Sequence, residues 1–375
     1  MKVFEQGQIG KMTVKNRFVH SPTYECLADD DGYCTPELIA FNREIAEGGV
    51  GLHTVSFAFV HNSGRHLKGQ IGIHNDKALP GLSELAKSIK EGGARAFIQI
   101  AHSGPHANKI YSGQQSMGPS AMVNKRGGEC RAMTIGEIEE AIGWFSDAAR
   151  RTRDAGFDGV CIHASHGYLI GSFLSPVYNH REDQYGGSLE NRARLFIEVF
   201  RAIRREVGPD YPIITKMNSE DRAIGGMTSS EMVETALLFQ NEGIDAIELS
   251  VGINADAGEP DVSSPPVDPK TPENEGYFRE AAVLYKKSVS TPLILVGGFR
   301  SLEGCEMALQ SNVADFISLS RPLVREPNLI KRWMQGDTAR AKCISCNLCR
   351  KDLFSGATTR LQCGVDMRIK NKNRN

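Results

Sequence analysis

The chain has 375 residues, with 44 Lys plus Arg against 45 Asp plus Glu, a net charge of −1, and 40 % hydrophobic residues. This balance excludes a disordered or fibrous chain. Near neutrality counts against a nucleic-acid binder, because binding a duplex needs a basic face that displaces counterions. No stretch approaches the ~20 apolar residues of a membrane span. The N-terminus, Met1-Lys2-Val3-Phe4-Glu5-Gln6-Gly7, has charge and glycine where a signal peptide needs an apolar run. Of nine cysteines, five are scattered and four crowd together at Cys343, Cys346, Cys349 and Cys363, unlike a secreted disulfide scaffold. The expectation is a cytoplasmic protein.

In chain order, turn signals at Gly7 and Gly10 predict a hairpin over the first 17 residues that closes the bottom of the fold. Strand-like runs follow at Phe18–Pro22, Gly51–Val60, Ala96–His102, Gly159–Ala164, Pro212–Asn218, Ala246–Gly252, Pro292–Gly298 and Phe316–Arg321. Helix-like stretches lie near 36–47, 76–92, 134–155, 189–207, 229–242, 274–289, 302–310 and 325–336. Thr134-Ile135-Gly136-Glu137 has capping-box spacing, and Pro36 follows Thr35 at a first-turn position. Eight strands each followed by a helix predict a parallel (β/α)8 TIM barrel over residues 1–336, with an open doubly wound sheet as the competing topology. Residues 337–375 form a Cys-rich extension whose basic tail, Arg368 to Arg374, reads as a solvated terminus. Two long connections, 103–133 and 165–188, leave the C-terminal ends of strands, where barrels build their sites.

The densest polar run is Cys161-Ile162-His163-Ala164-Ser165-His166-Gly167-Tyr168, spilling from the fourth strand into its loop. Two imidazoles and a phenol there suit holding a carbonyl oxygen and delivering a proton to a neighbouring carbon. A zinc site, or histidines satisfied by backbone, are the competing readings. Gly297 and Gly298 end the seventh strand, and Ser320 and Arg321 end the eighth, the pattern of a barrel phosphate site rather than of plain turns. Gln99 and Lys216 interrupt apolar strands. A buried lysine needs an anion, which the N1 and O2 edge of a reduced flavin would supply, unless Lys216 snorkels from a strand end. Gln99 would bond the pyrimidine ring. No G-x-G-x-x-G is present, so a nicotinamide cofactor would visit the same mouth as the substrate.

These residues resemble the Old Yellow Enzyme family of FMN-dependent NAD(P)H:flavin oxidoreductases over roughly residues 1–335. The likeness rests on Lys15-Asn16-Arg17-Phe18-Val19-His20-Ser21-Pro22, Phe97-Ile98-Gln99-Ile100-Ala101-His102, Gly118-Pro119-Ser120-Ala121, Gly156-Phe157-Asp158-Gly159 through Tyr168, and Asp183-Gln184-Tyr185-Gly186-Gly187. The resemblance implies FMN at the barrel mouth, with Pro22, Gln99 and Lys216 around the ring and Gly298, Ser320 and Arg321 at the phosphate. Tyr24 stands where many members have Thr or Cys, and Lys216 where many have Arg. It further implies that His163 and His166 bind a substrate carbonyl, that Tyr168 donates the proton, and that NAD(P)H is the transient reductant of an unsaturated small molecule. Homo-oligomers are common in the group. The cysteine segment resembles the Fe–S segment of trimethylamine dehydrogenase and 2,4-dienoyl-CoA reductase. A [4Fe–4S] cluster, a zinc ion held by all four thiolates and reduced thiols stay open for it. An electron-transfer subunit with a partner, an amine or C–N oxidoreductase, and a non-catalytic barrel are the alternative functions.

Overall fold

The computed structural model describes residues 1–123, 128–253 and 269–372; Arg374 of the basic tail lies outside the described residues. Eight parallel strands close into a barrel in sequential order: β1 (Phe18–His20), β2 (Leu52–Phe59), β3 (Arg95–Ala101), β4 (Gly159–Ala164), β5 (Ile213–Asn218), β6 (Ala246–Ser250), β7 (Leu293–Val296) and β8 (Phe316–Leu319). The closed ladder excludes the doubly wound alternative, in which two strands would remain edges. Eight helices surround it: α1 (Pro36–Glu47), α2 (Leu79–Glu91), α3 (Ile135–Asp154), α4 (Leu189–Val207), α5 (Ser229–Glu242), α6 (Arg279–Ser288), α7 (Leu302–Gln310) and α8 (Leu329–Met334).

Local chemistry explains the boundaries. The Thr134 hydroxyl accepts from Glu137 N while the Glu137 carboxylate accepts from Thr134 N, and Thr228 and Glu231 repeat this capping box at α5. Thr35 caps α1, with Pro36 in its first turn. The predicted stretch 274–289 shortens to α6, and a separate five-residue helix, Arg321–Arg325, precedes α8.

Two cores hold the fold. The larger lies between strands and helices; the smaller fills the barrel's lower end with Val19, Leu52, Phe97, Cys161, Ile214, Ala246, Ile294 and Phe316. Ile9 and Val14, from the hairpin strands Gly7–Ile9 and Met12–Val14, complete that plug. Gly159 is required here, since a Cβ would sit 2.2 Å from the Phe97 ring.

The long connections carry structure of their own. The third contains a small sheet of Ser116–Gly118, Met122–Val123 and Glu129–Ala132. The fourth contains the buried helix Leu169–Leu174. Beyond the barrel, α9 (Leu348–Phe354) and α10 (Gly364–Lys372) pack on it. The basic tail is therefore helical through Lys372, with Arg368 bonded to Asp352 at 2.8 Å rather than simply solvated. Among the described residues no helix is long and apolar enough to cross a membrane.

Candidate active site

Inward-facing positions recur every second residue along a strand, so each residue of the apolar plug has a partner one layer higher. Above Phe97 stands Gln99; above Cys161, His163; above Ile214, Lys216; above Ala246, Glu248; above Phe316, Ser318; and above Val19, Ser21. All six are buried. Apart from Val296, above Ile294, the barrel interior thus changes from hydrocarbon to hydrogen-bonding groups within one layer.

A cavity of about 320 Å³ opens above this layer at the C-terminal ends of the strands. Pro22, Tyr24, His166, Tyr168, Lys216, Gly297, Gly298, Ser320 and Arg321 line it. Two of the sequence-derived candidates do not. Gln99 is bonded within the barrel, its amide nitrogen 3.4 Å from Cys161 Sγ, and His163 packs beside Tyr168 with ring centroids 4.8 Å apart. No described residue of the third connection reaches the cavity.

Lys216 is buried, which excludes the snorkelling reading. Its Nζ donates to Ser21 Oγ at 2.8 Å and lies 3.4 Å from Glu248 Oε2. Glu248 Oε1 accepts from Ser318 Oγ at 2.8 Å. In the same cavity wall Gly297 and Gly298, at the end of β7, take φ of +120° and +79°, conformations that L side chains rarely adopt. Arg321 Nη1 donates to Asn347 Oδ1 at 2.5 Å, and Ser320 Oγ lies 2.7 Å from Thr23 Oγ1. An ammonium, and a guanidinium together with the glycine backbone, line one cavity and suit the negative charges of a reduced flavin ring and of a phosphate tail. The residues therefore fit FMN.

The imidazoles are held neutral. Burial, reinforced by Lys216 and Arg350, lowers His166 to about 3. Burial, with His166 and Lys216 nearby, lowers His163 well below the ordinary value. His163 Nδ1 accepts from Ser165 N at 3.3 Å, which leaves the proton on Nε2. His166 lies 2.8 Å from Ser250 Oγ through Nε2 and 3.3 Å from Ser165 Oγ through Nδ1. Its backbone is left-handed (φ +59°), followed by Gly167 at +73°, and this tight turn brings Tyr168 over the mouth. A bridge to Ile253 pins the turn from the sixth strand's side.

Several lining residues were not expected from the sequence. The β2–β3 register shifts between Val55 and Phe57, a bulge that aims Phe57 into the cavity, 5.4 Å from Tyr168 and 5.7 Å from Tyr24 between ring centroids. Tyr277 and Phe278 enter from the connection after β6, and Cys349 and Arg350 from α9. Glu248, which holds Lys216 and Ser318 without lining the cavity, was missed as well, although it stands as an acid inside the apolar run Ala246-Ile247-Glu248-Leu249.

Cys343, Cys346, Cys349 and Cys363 together line a second cavity of about 20 Å³ with Arg321 and Arg325. Among the described residues no three His, Cys, Asp or Glu side chains form a ready metal-ligand group, and the choice between cluster, zinc and thiols stays open. Burial raises the Cys349 and Cys363 thiols above their ordinary range. They stay protonated unless a positive centre joins them.

Residues 2–339 match the NADH:flavin oxidoreductase / NADH oxidase family. The chain is 36 % identical to a NADH oxidase of Thermoanaerobacter brockii over 92 % of its length and 53 % of that protein's. It is 34 % identical to an NADPH dehydrogenase of Clostridium acetobutylicum over 88 % of this chain and 94 % of that one. A solved 2-naphthoyl-CoA reductase complex superposes with a TM-score of 0.85 at 32 % identity, covering 93 % of this chain and 54 % of that chain. The chain thus spans about half the length of two of these three relatives. With a match over nearly the whole barrel and a cavity that fits the flavin, the chain belongs to the NADH:flavin oxidoreductase / NADH oxidase family, in agreement with its Old Yellow Enzyme resemblance.

Proposed function

We propose that the chain is an FMN-dependent NAD(P)H oxidoreductase that reduces a carbonyl-conjugated alkene. The observation that carries this reading is the convergence, on one cavity, of flavin-suited cations with Tyr168 and His166. Bound FMN would supply hydride transfer from NAD(P)H to the alkene. Lys216 would face the ring edge that gains negative charge, and Arg321 with the Gly297–Gly298 backbone would hold the phosphate. Tyr168 O–H gives its proton to the substrate carbon next to the carbonyl. His166 and Ser250, joined at 2.8 Å, offer a hydrogen bond to the carbonyl oxygen as it gains charge, and the proton on His163 Nε2, beside Tyr168, reinforces this donor group. Neutral imidazoles suit the task, since they polarise the carbonyl without repelling a cationic flavin site.

The test is anaerobic NADH and NADPH oxidation by the FMN-loaded chain with an α,β-unsaturated ketone, following the saturated product. Product formation supports the reading. Flavin reduction without saturated product overturns it.

A second reading, an FMN/Fe–S electron-transfer subunit, is favoured by one observation: Arg321, Val324, Asn347 and Cys349 line both cavities. Four cysteines are the ligand type of a [4Fe–4S] cluster. Iron and zinc analysis of anaerobically purified protein decides it. About four irons per chain would support the cluster, zinc would make the site structural, and neither metal would leave thiols.

A further inference from the structure

Glu248 belongs to neither cavity, yet it holds two groups that line the larger one. Strand pairing sets Lys216 directly opposite Glu248 across β5 and β6. The ammonium lies 3.4 Å from one carboxylate oxygen, and the Ser318 hydroxyl bonds the other at 2.8 Å. The side chains of Lys216 and Glu248 are 6 % and 2 % exposed, so solvent screens their interaction little. Lys216 therefore meets the cavity already paired. Ser21 holds the same ammonium from β1's side at 2.8 Å.

We infer that Glu248 is a positioning residue that sets the redox potential of the bound flavin through Lys216. The inference rests on FMN occupying the larger cavity. An unpaired ammonium beside the ring would strongly favour the negative charge gained on reduction. The carboxylate cancels part of that field, makes the flavin a stronger hydride donor, and fixes Nζ in one place through the Lys216–Ser21 bond. A purely structural ion pair would stabilise the barrel without this electrical consequence.

The test is a spectroelectrochemical titration of the full chain loaded with FMN, comparing the wild type with Glu248→Gln. The amide keeps the side chain's shape and removes its charge. The expected result is a rise in midpoint potential of at least tenfold in the reduced-to-oxidised ratio, about 30 mV for a two-electron couple. Ser318→Ala removes the hydroxyl bond and concentrates charge on the carboxylate, so it should move the potential in the opposite direction by less. FMN bound by Glu248→Gln at the wild-type potential overturns the inference and leaves the FMN reading intact. Failure of the wild type to bind FMN overturns both. If Glu248→Gln does not fold, Ser318→Ala decides, and an unchanged potential in that variant counts against Glu248.

Discussion

The barrel mouth and the cysteine extension each gather chemically active side chains around a cavity, but they are supported differently. At the mouth, Lys216, Glu248, Ser318 and Ser21 stand on or at the ends of strands of one closed ladder, directly above an apolar plug. Their positions follow from backbone pairing. In the extension, the four cysteines lie on and beside two helices of seven and nine residues, lengths at which an isolated helix is marginal. Individual contacts hold that region: Arg325 to Asp366 at 2.9 Å, Arg368 to Asp352 at 2.8 Å, and Arg300 to Ser345 Oγ at 2.6 Å. The mouth is preorganised before anything binds, whereas the extension depends on a few polar ties.

The comparison can be tested from both sides. The largest effect is expected at the mouth. Tyr168→Phe should keep FMN bound and slow alkene reduction by ~10²–10⁴-fold, the usual contribution of a placed acid; stopped-flow measurement of the alkene half-reaction shows it, and an unchanged rate removes Tyr168 from the mechanism. Arg321 touches both regions, so Arg321→Ala should weaken FMN binding by about 1.5–3 kcal/mol and loosen α9 through the lost Asn347 bond. A fluorescence titration at full wild-type affinity would count against the phosphate assignment.

Acid should affect the barrel before any site group is ionised. Burial holds His20, His102 and His166 near 3, with His53 and His163 also well below the usual value. Between about pH 6.5 and 3 these side chains take up protons in the unfolded chain and not in the folded one. The stability they protect is therefore full above pH 6.5 and lost as pH falls, at up to about 1.4 kcal/mol per pH unit for each histidine. Denaturant midpoints at pH 7.5 and 5 measure this, and stability that stays level or rises toward pH 5 would contradict it.

The smallest effect belongs to the extension. Asp366→Asn removes a partly exposed ion pair worth about 0.2–1 kcal/mol. It should raise hydrogen exchange over residues 340–372 while leaving barrel protection unchanged. Equal loosening of both regions would mean they unfold as one unit.

Much of the architecture was legible in the sequence because it rests on local rules. Alternating β-branched runs and amphipathic stretches marked all eight strands and their helices, and Thr134 with Glu137 marked a helix start that the structure reproduces. The hairpin at Gly7 and Gly10 was legible for the same reason. Depth was not. Gln99 and His163 read as mouth residues, and neither is among the side chains that line the cavity. Along a strand, period two gives the face a side chain occupies, but not its height above the plug. That height depends on the stagger between neighbouring strands. The third connection read as a binding loop, whereas its pairing into a small sheet joins segments whose partners no local pattern announces.

By itself, the sequence determined the barrel, the strand ends that carry its chemistry and the family resemblance, since turn residues, periodicity and motif spacing are written along one dimension. Tertiary structure decided which of those side chains meet. The bulge before Phe57 turned an aromatic ring into the cavity, the β5–β6 register set Glu248 opposite Lys216, and packing of α9 brought Arg350 and Cys349 to the mouth from the far end of the chain. Each of these depends on register or packing between separate elements, which no pattern along a single segment specifies.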